Sequence, residues 1–217
     1  MKDYIIDLIH RMNVVEKEAN SDSSISFQAY RDAEELSDSM YIPTLIQLIE
    51  LHPSPQDKKF RSSAYFILGK LLFKIVNLSA TQFLIHQLRQ ESDKYVLSSM
   101  LDAIADLEKP ETIDIMPILD SIDHEKWLVR YSAIRALEKS RNPTARLFLV
   151  HYLESLENLK KYRYEITYAN SVLSDIGEPN DIRLLARYTR VSFIDIKDSA
   201  NYAIKRINKR QKKEVVL

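Results

Sequence analysis

The chain has 217 residues, in which 31 Lys and Arg balance 31 Asp and Glu, with two glycines, seven prolines and no cysteine. Without cysteine there is no disulfide framework, no thiolate metal site and no thiol nucleophile, and the composition fits a reducing compartment. Two glycines as far apart as Gly69 and Gly177 exclude glycine-rich phosphate loops and dinucleotide fingerprints, whose backbones need several glycines at fixed offsets.

The chain opens with Ile5, Leu8, Ile9 and Met12 at helical spacing, which predicts a helix over about 2–20, followed by a polar Ser-Asp-Ser-Ser break at 21–24. Apolar runs here are two or three residues long, too short for a secretory leader or a membrane span, so the reading places the protein in the cytoplasm. From residue 25 onward helical periodicity is continuous. Ala64, Ile67, Leu68, Leu71 and Leu72 are one example of an apolar face repeating every 3.6 residues, and strand signals are nearly absent. The expectation is an all-α chain.

That pattern repeats. Ala33, Ala64, Met100, Ala133, Ala169 and Ala200 recur every 31 to 36 residues, and Pro43, Pro110, Pro143 and Pro179 stand ten residues after four of them. A small residue fits where two helices approach most closely, and a larger apolar group follows four residues on, at Leu68, Ile104, Leu137, Leu173 and Ile204. Proline is tolerated only in a helix's first turn, so it marks where one helix stops and the next begins. Thr44, Thr112, Thr144 and Asn180 offer capping oxygens beside these prolines, and Asp57, Asp93 and Asp123 offer them at the opposite junctions. The second unit lacks a turn proline, which predicts a longer first helix or a looser turn. The reading is a single domain over 1–217: an N-terminal capping helix and break (1–24), about five hairpins and a partial sixth unit (25–207), and a basic tail (208–217) that frays.

At KFRSSAYFILG (59–69), WLVRYSAIRALE (127–138) and the proline-marked turns, the chain resembles the HEAT-repeat family. The shared apolar-Arg-x-x-Ala core stands as Phe60-Arg61 with Ala64 and as Val129-Arg130 with Ala133. The resemblance covers about 25–207 and implies an armadillo-like solenoid, a right-handed α-α superhelix of stacked hairpins whose second helices line the inner, concave wall.

Chemistry-bearing residues are sparse. His10, His52, His86, His124 and His151 show no metal-ligand spacing and read as structural or surface groups, so no metal, cofactor or catalytic residue is assigned. Trp127, the single tryptophan, reads as an aromatic packed over a hairpin junction. Its WLVRYSAI context partly resembles the Trp-x-Arg-Arg-x-Ala-Ile stretch of HEAT-like DNA glycosylases acting on alkylated bases, but the match is shifted and lacks a second tryptophan.

Charge is more informative. Residues 1–125 carry 12 basic and 21 acidic groups, and residues 126–217 carry 19 and 10. In the basic half Arg183, Arg187 and Arg190 fall at i, i+4 and i+7, opposite a core face of Ile182, Leu185 and Thr189, with Tyr188 beside them. Lys160, Lys161 and Arg163 alternate with tyrosines including Tyr164, and Arg146 opens the preceding second helix. Arginine forks grip carboxylate or phosphate, and tyrosine adds flat contact area. The leading expectation is a non-enzymatic interaction module or scaffold that binds an acidic protein segment at these nine residues. Nucleic-acid binding through the same half is the alternative, and head-to-tail self-association of the two halves stays open.

Overall fold

The computed structural model describes residues 1–16 and 23–214, with side chains through 212. The chain forms two compact units, Met1–Leu107 and Glu108–Leu217. Regular structure among the described residues is helical except for an isolated parallel bridge between Lys109 and Ser140. The boundary at 107/108 gives the acidic stretch 108–125 to the C-terminal unit.

The N-terminal unit contains α1 (Lys2–Met12), α2 (Ile25–Glu35), α3 (Tyr41–Leu51), α4 (Lys58–Lys74), α5 (Leu78–Gln87) and α6 (Lys94–Ala105). First helices stack on first helices, α2 on α4 and α4 on α6, while α3 and α5 pack side by side as the second layer. The C-terminal unit contains α7 (Met116–Asp120), α8 (Trp127–Arg135), α9 (Pro143–Ser155), α10 (Arg163–Ile176), α11 (Ile182–Tyr188) and α12 (Ile194–Glu214). There α8, α10 and α12 form the stack of first helices, with α9 against α10 and α11 against α12.

All six anchors are buried at 0–1% exposure, as close helix approach requires. Leu68, Ile104, Leu137 and Leu173 are fully buried four residues later, each contributing about 2 kcal/mol of apolar transfer. Ile204 departs from this rule and is only half-buried: α12 turns Ile196, Ala200, Ala203 and Ile207 inward, so the i+3 position takes the place of i+4. Gly69 is a contact residue. A Cβ there would meet the Ala103 Cβ at 2.8 Å, so its absence lets α4 lie against α6.

Several predicted boundaries move. Helix α1 stops at Met12, where Asn13 Nδ2 donates to the Ile9 carbonyl at 2.8 Å and to Ser63 Oγ at 2.9 Å. The rest of the predicted 2–20 helix is non-helical through 16 or lies, at 17–20, outside the described residues. The second hairpin does have a long first helix, the 17-residue α4, and Asn77 caps α5 by accepting from the Ala80 N–H. Pro110 does not start a helix, because 108–115 runs irregularly and α7 begins at Met116 with Pro117 in its first turn. Of the three proposed acidic caps only Asp93 caps, accepting from Tyr95 and Val96 N–H at 2.9 and 3.3 Å; Asp57 makes no such bond, and Asp123 sits in a short turn three residues before Lys126, which precedes α8 without a side-chain capping bond. At α9 the capping side chain is Asn142, which accepts from Thr144 N–H, and at Pro179 Glu178 and Asp181 form a reciprocal box. The tail expected to fray is helical through Glu214. Arg210 fastens it, donating to the Gly177 carbonyl at 2.6 Å and to the Ser174 carbonyl.

The arginine three residues before an alanine anchor has a structural role that spacing alone did not reveal. Arg61 donates to both oxygens of Glu91 (2.6 and 3.0 Å) and to the carbonyls of His52 and Ser54 (2.8 and 2.6 Å). Arg130 repeats the arrangement with Glu165 (3.0 and 2.8 Å) and the carbonyls of His124 and Glu125 (3.1 and 3.0 Å). A planar fork with five donors satisfies a carboxylate and two turn carbonyls together, which lysine cannot do. Tyr65 also donates to Glu91 at 2.9 Å, and burial followed by that carboxylate pushes its hydroxyl well above the usual tyrosine range.

Candidate functional site

The cations of the C-terminal unit divide into those engaged by the fold and those left to solvent. Arg146 on α9 reaches Asp181 through two bonds of 2.8 Å and Glu178 at 3.1 Å, holding the start of α11. Arg163 on α10 grips Asp195 with bonds of 2.9 and 2.7 Å and lies over the Phe193 ring at 5.4 Å, holding the start of α12. The Asp195 carboxyl sits below its usual range; partial burial pushes it up, and Arg163 and nearby backbone N–H groups pull it down further. Two of the nine expected contact residues are therefore staples between repeats.

Tyr188 is a third correction. It is 3% exposed and its hydroxyl donates to the Leu153 carbonyl at 2.8 Å, so it belongs to the core between α9 and α11; burial raises its hydroxyl pKa. The inward face of α11 is Leu184, Leu185 and Tyr188, since the helix is rotated by one residue from the expected Ile182, Leu185 and Thr189. Arg183 and Arg187 stand exposed on the opposite side. Helix α11 ends at Tyr188, so Arg190 is not the third member of a helical stripe and lies in the turn leading to α12. Lys160 and Lys161 lie exposed in the turn leading to α10, Lys161 over the Tyr162 ring at 4.7 Å. None of Lys160, Lys161, Arg183, Arg187 and Arg190 forms an ion pair among the described residues.

Of these, Lys160, Lys161 and Arg190 lie in turns at one edge. Trp127, Tyr164 and Ile194 begin or nearly begin α8, α10 and α12, and the three helix starts lie side by side: Trp127 stacks on Tyr164, and Arg163 bonds Asp195. The turns carrying Lys160, Lys161 and Arg190 feed directly into those starts. The surface is thus the edge where one repeat passes to the next, and only Arg183 and Arg187 stand on a second helix.

Four rings form a two-by-two cluster at the starts of α8 and α10. Trp127 stacks on Tyr164 (5.5 Å between centroids, 26° between planes) and on Tyr131 (5.3 Å, 29°), and Tyr131 stacks on Tyr168 (5.0 Å, 15°). Each pair on one helix is spaced i, i+4, which places both rings on one face. Trp127 and Tyr164 remain 54% and 55% exposed, so the tryptophan packs on aromatic neighbours without being covered by them. Sequence reading named Trp127 and Tyr164 but not this cluster; that the two pairs meet across a repeat required the fold.

The histidines near this region serve the backbone. His124 Nδ1 accepts from the Lys126 N–H at 3.0 Å and its carbonyl accepts from Arg130. Among the described residues no three His, Asp or Glu side chains converge as a metal site. A groove of about 520 Å³ in the same unit is lined by Glu108, Glu111, Lys139, Arg141, Arg146 and Glu178, charges of both signs in an open cleft. No helix among the described residues is long and apolar enough to cross a membrane.

A sequence model of the family described as HEAT repeats matches residues 81–169. Two solved structures are similar over nearly the whole chain. One is an engineered protein from the Northeast Structural Genomics Consortium, 16% identical, with 94% of this chain and 98% of that one covered at a TM-score of 0.55. The other is a designed armadillo repeat protein, 14% identical, with 94% and 100% covered at a TM-score of 0.53. At these identities the likeness concerns the fold. No curated protein matches the chain.

Proposed function

We propose that this chain, whose fold is similar to HEAT and armadillo-like repeat proteins, is a non-enzymatic interaction module whose C-terminal unit binds an acidic protein segment. Repeat folds of this kind are compatible with scaffolding, because stacked hairpins present extended surfaces. The observation that carries the reading is the division of the cations. Arg61, Arg130, Arg146, Arg163 and Arg210 are each committed to a carboxylate or to backbone carbonyls, whereas Lys160, Lys161, Arg183, Arg187 and Arg190 are exposed and unpaired. Unpaired exposed cations cost nothing to present and give a carboxylate-bearing partner both attraction and orientation. Tyr164, exposed beside them, adds contact area of the kind that anchors protein interfaces.

The test is affinity capture with the purified chain and its R183E/R187E/R190E and K160E/K161E variants, together with titration of a synthetic glutamate-rich peptide. Binding should fall steeply with salt and be lost in both charge reversals, since exposed ion pairs are screened within about 8 Å at physiological ionic strength. Undiminished capture by the reversed variants would count against the reading.

A further inference from the structure

Helix α12 carries a charged face that neither the fold nor the acidic-segment reading uses. Ile196, Ala200, Ala203 and Ile207 are its buried side. Lys205, Lys209 and Lys212 stand at i, i+4 and i+7 on the opposite side, all exposed, with Arg206 and Tyr202 exposed beside them. None of these four cations pairs with a carboxylate among the described residues, whereas Arg210, turned inward, is spent on the Gly177 and Ser174 carbonyls. From Ser199 to Lys212 the helix contains no acid, and the exposed Asp198 lies about two turns before Lys205. Helix stability does not account for this stripe. Cations complement a helix dipole within its last turn, and α12 runs to Glu214, so Lys205 and Arg206 come about two turns too early. Lys205 and Lys209, one turn apart, repel each other.

The composition of the face narrows the anion it suits. A carboxylate is gripped best by an arginine fork, but three of these four cations are lysines, which act as point charges and match an anion by its charge density. A bilayer surface asks for apolar side chains beside the cations, and among the described residues of α12 no aliphatic side chain after Ile194 is exposed. Asn201, Tyr202 and Asn208, exposed around the lysines, are neutral donors of the kind that join Lys and Arg on the phosphate and sugar oxygens of nucleic acids. At 1.5 Å per residue the stripe from Lys205 to Lys212 is about 10 Å long, and a nucleic-acid strand carries one phosphate per about 3.4 Å of axis, so the stripe spans about three phosphates. Tyr202, one turn before Lys205 and Arg206, is 53% exposed and makes no ring or cation contact among the described residues, which leaves it open to an unpaired base.

We propose that this face of α12 binds the backbone of single-stranded nucleic acid without sequence preference, Lys205, Lys209 and Lys212 neutralising successive phosphates and Tyr202 stacking on a base at the end of the tract. It uses none of the residues assigned to the acidic segment, and it stands or falls independently of that reading.

Four labelled probes are titrated against the full chain by fluorescence anisotropy: oligothymidylate, a duplex of equal length, a glutamate-rich peptide and phosphatidylserine vesicles. Oligothymidylate should bind at low salt and weaken about twentyfold between 50 and 200 mM salt, as three single-strand phosphate contacts require. K205Q/K209Q/K212Q, checked for unchanged helicity, should weaken it about tenfold or more, whereas R183Q/R187Q/R190Q should leave it within about twofold. Y202A should weaken it about fivefold and Y202F should not, which separates stacking from the hydroxyl. No complex with oligothymidylate at 50 mM salt, or unchanged affinity in K205Q/K209Q/K212Q, overturns the site. Tighter binding of the duplex, or unchanged affinity in Y202A, overturns the single-strand assignment. Peptide or vesicle binding that is lost in K205Q/K209Q/K212Q while oligothymidylate is unaffected gives the face to carboxylates or to a bilayer instead. A glutamate-rich peptide that fails to bind while oligothymidylate binds as expected removes the acidic-segment reading and leaves this one standing.

Discussion

Replacing Arg130 by methionine removes a guanidinium that satisfies Glu165 and two turn carbonyls together, at distances of 2.8 to 3.1 Å. The Glu165 side chain is 2% exposed, so the variant leaves a carboxylate without its countercharge in a place water cannot reach. Breaking a buried pair from one side costs about 3–5 kcal/mol. Arg130 is itself 18% exposed, which admits some solvent to the vacated site and puts the expectation at the lower end, about 3 kcal/mol. With a urea slope of about 1.5 kcal/mol per molar for a unit of this size, the midpoint should fall by about 2 M. Trp127 lies one turn before Arg130 in the same helix, so its emission follows unfolding of the C-terminal unit specifically. The R130M/E165M double variant should recover most of the loss, giving a coupling energy of about 2 kcal/mol or more. R130K should fall between, because an ammonium cannot span the carboxylate and both carbonyls. A loss below about 1 kcal/mol in R130M, or a double variant no better than the single, would refute the staple argument.

Three further outcomes follow from the packing. G69A gains about 1 kcal/mol of helix propensity but drives a methyl to 2.8 Å from the Ala103 Cβ, so it should be destabilising by about 1–2 kcal/mol net, and G69A/A103G should restore the wild-type thermal midpoint. Tyr152 and Tyr188 should respond oppositely to loss of the hydroxyl: the Tyr152 hydroxyl is buried without a partner, so Y152F should be neutral or stabilising, whereas Y188F breaks the bond to the Leu153 carbonyl and should cost about 1 kcal/mol in urea unfolding. The Asp93 carboxyl is held below its ordinary 3.8 first by its bond to Lys58; burial pushes the other way, and the Tyr95 and Val96 N–H groups lower it further. Its contribution is therefore complete above the unfolded value and is lost as pH falls through the native one. D93N should flatten that acid limb while changing stability at neutral pH by less than about 1 kcal/mol, as circular dichroism across pH would show.

The spacing of apolar and small residues was enough to specify the helices, their pairing into hairpins and the identity of the six buried anchors. Those are properties of a local period: a helix brings i, i+3 and i+4 to one face whatever it packs against, and a residue at closest approach must be small wherever it occurs. Helix ends were less legible. Asp57, Asp93 and Asp123 are alike in sequence, yet only Asp93 has its carboxylate turned onto the N–H groups that follow, because the flanking turns differ.

The site was legible only as a collection of residue types. Arg146, Arg163 and Tyr188 stood on equal terms with Arg187 and Arg190 until the fold brought Asp181, Asp195 and the Leu153 carbonyl to them from 32 to 35 residues away. The aromatic cluster likewise joins Trp127 to Tyr164 across a repeat. Sequence by itself determined which residues are small, large or charged and, outside α11 and Ile204, on which face of its own helix each lies. Whether a cation is spent inside the molecule or left for a partner was decided by the tertiary structure, because that depends on a carboxylate one repeat away coming within hydrogen-bond reach.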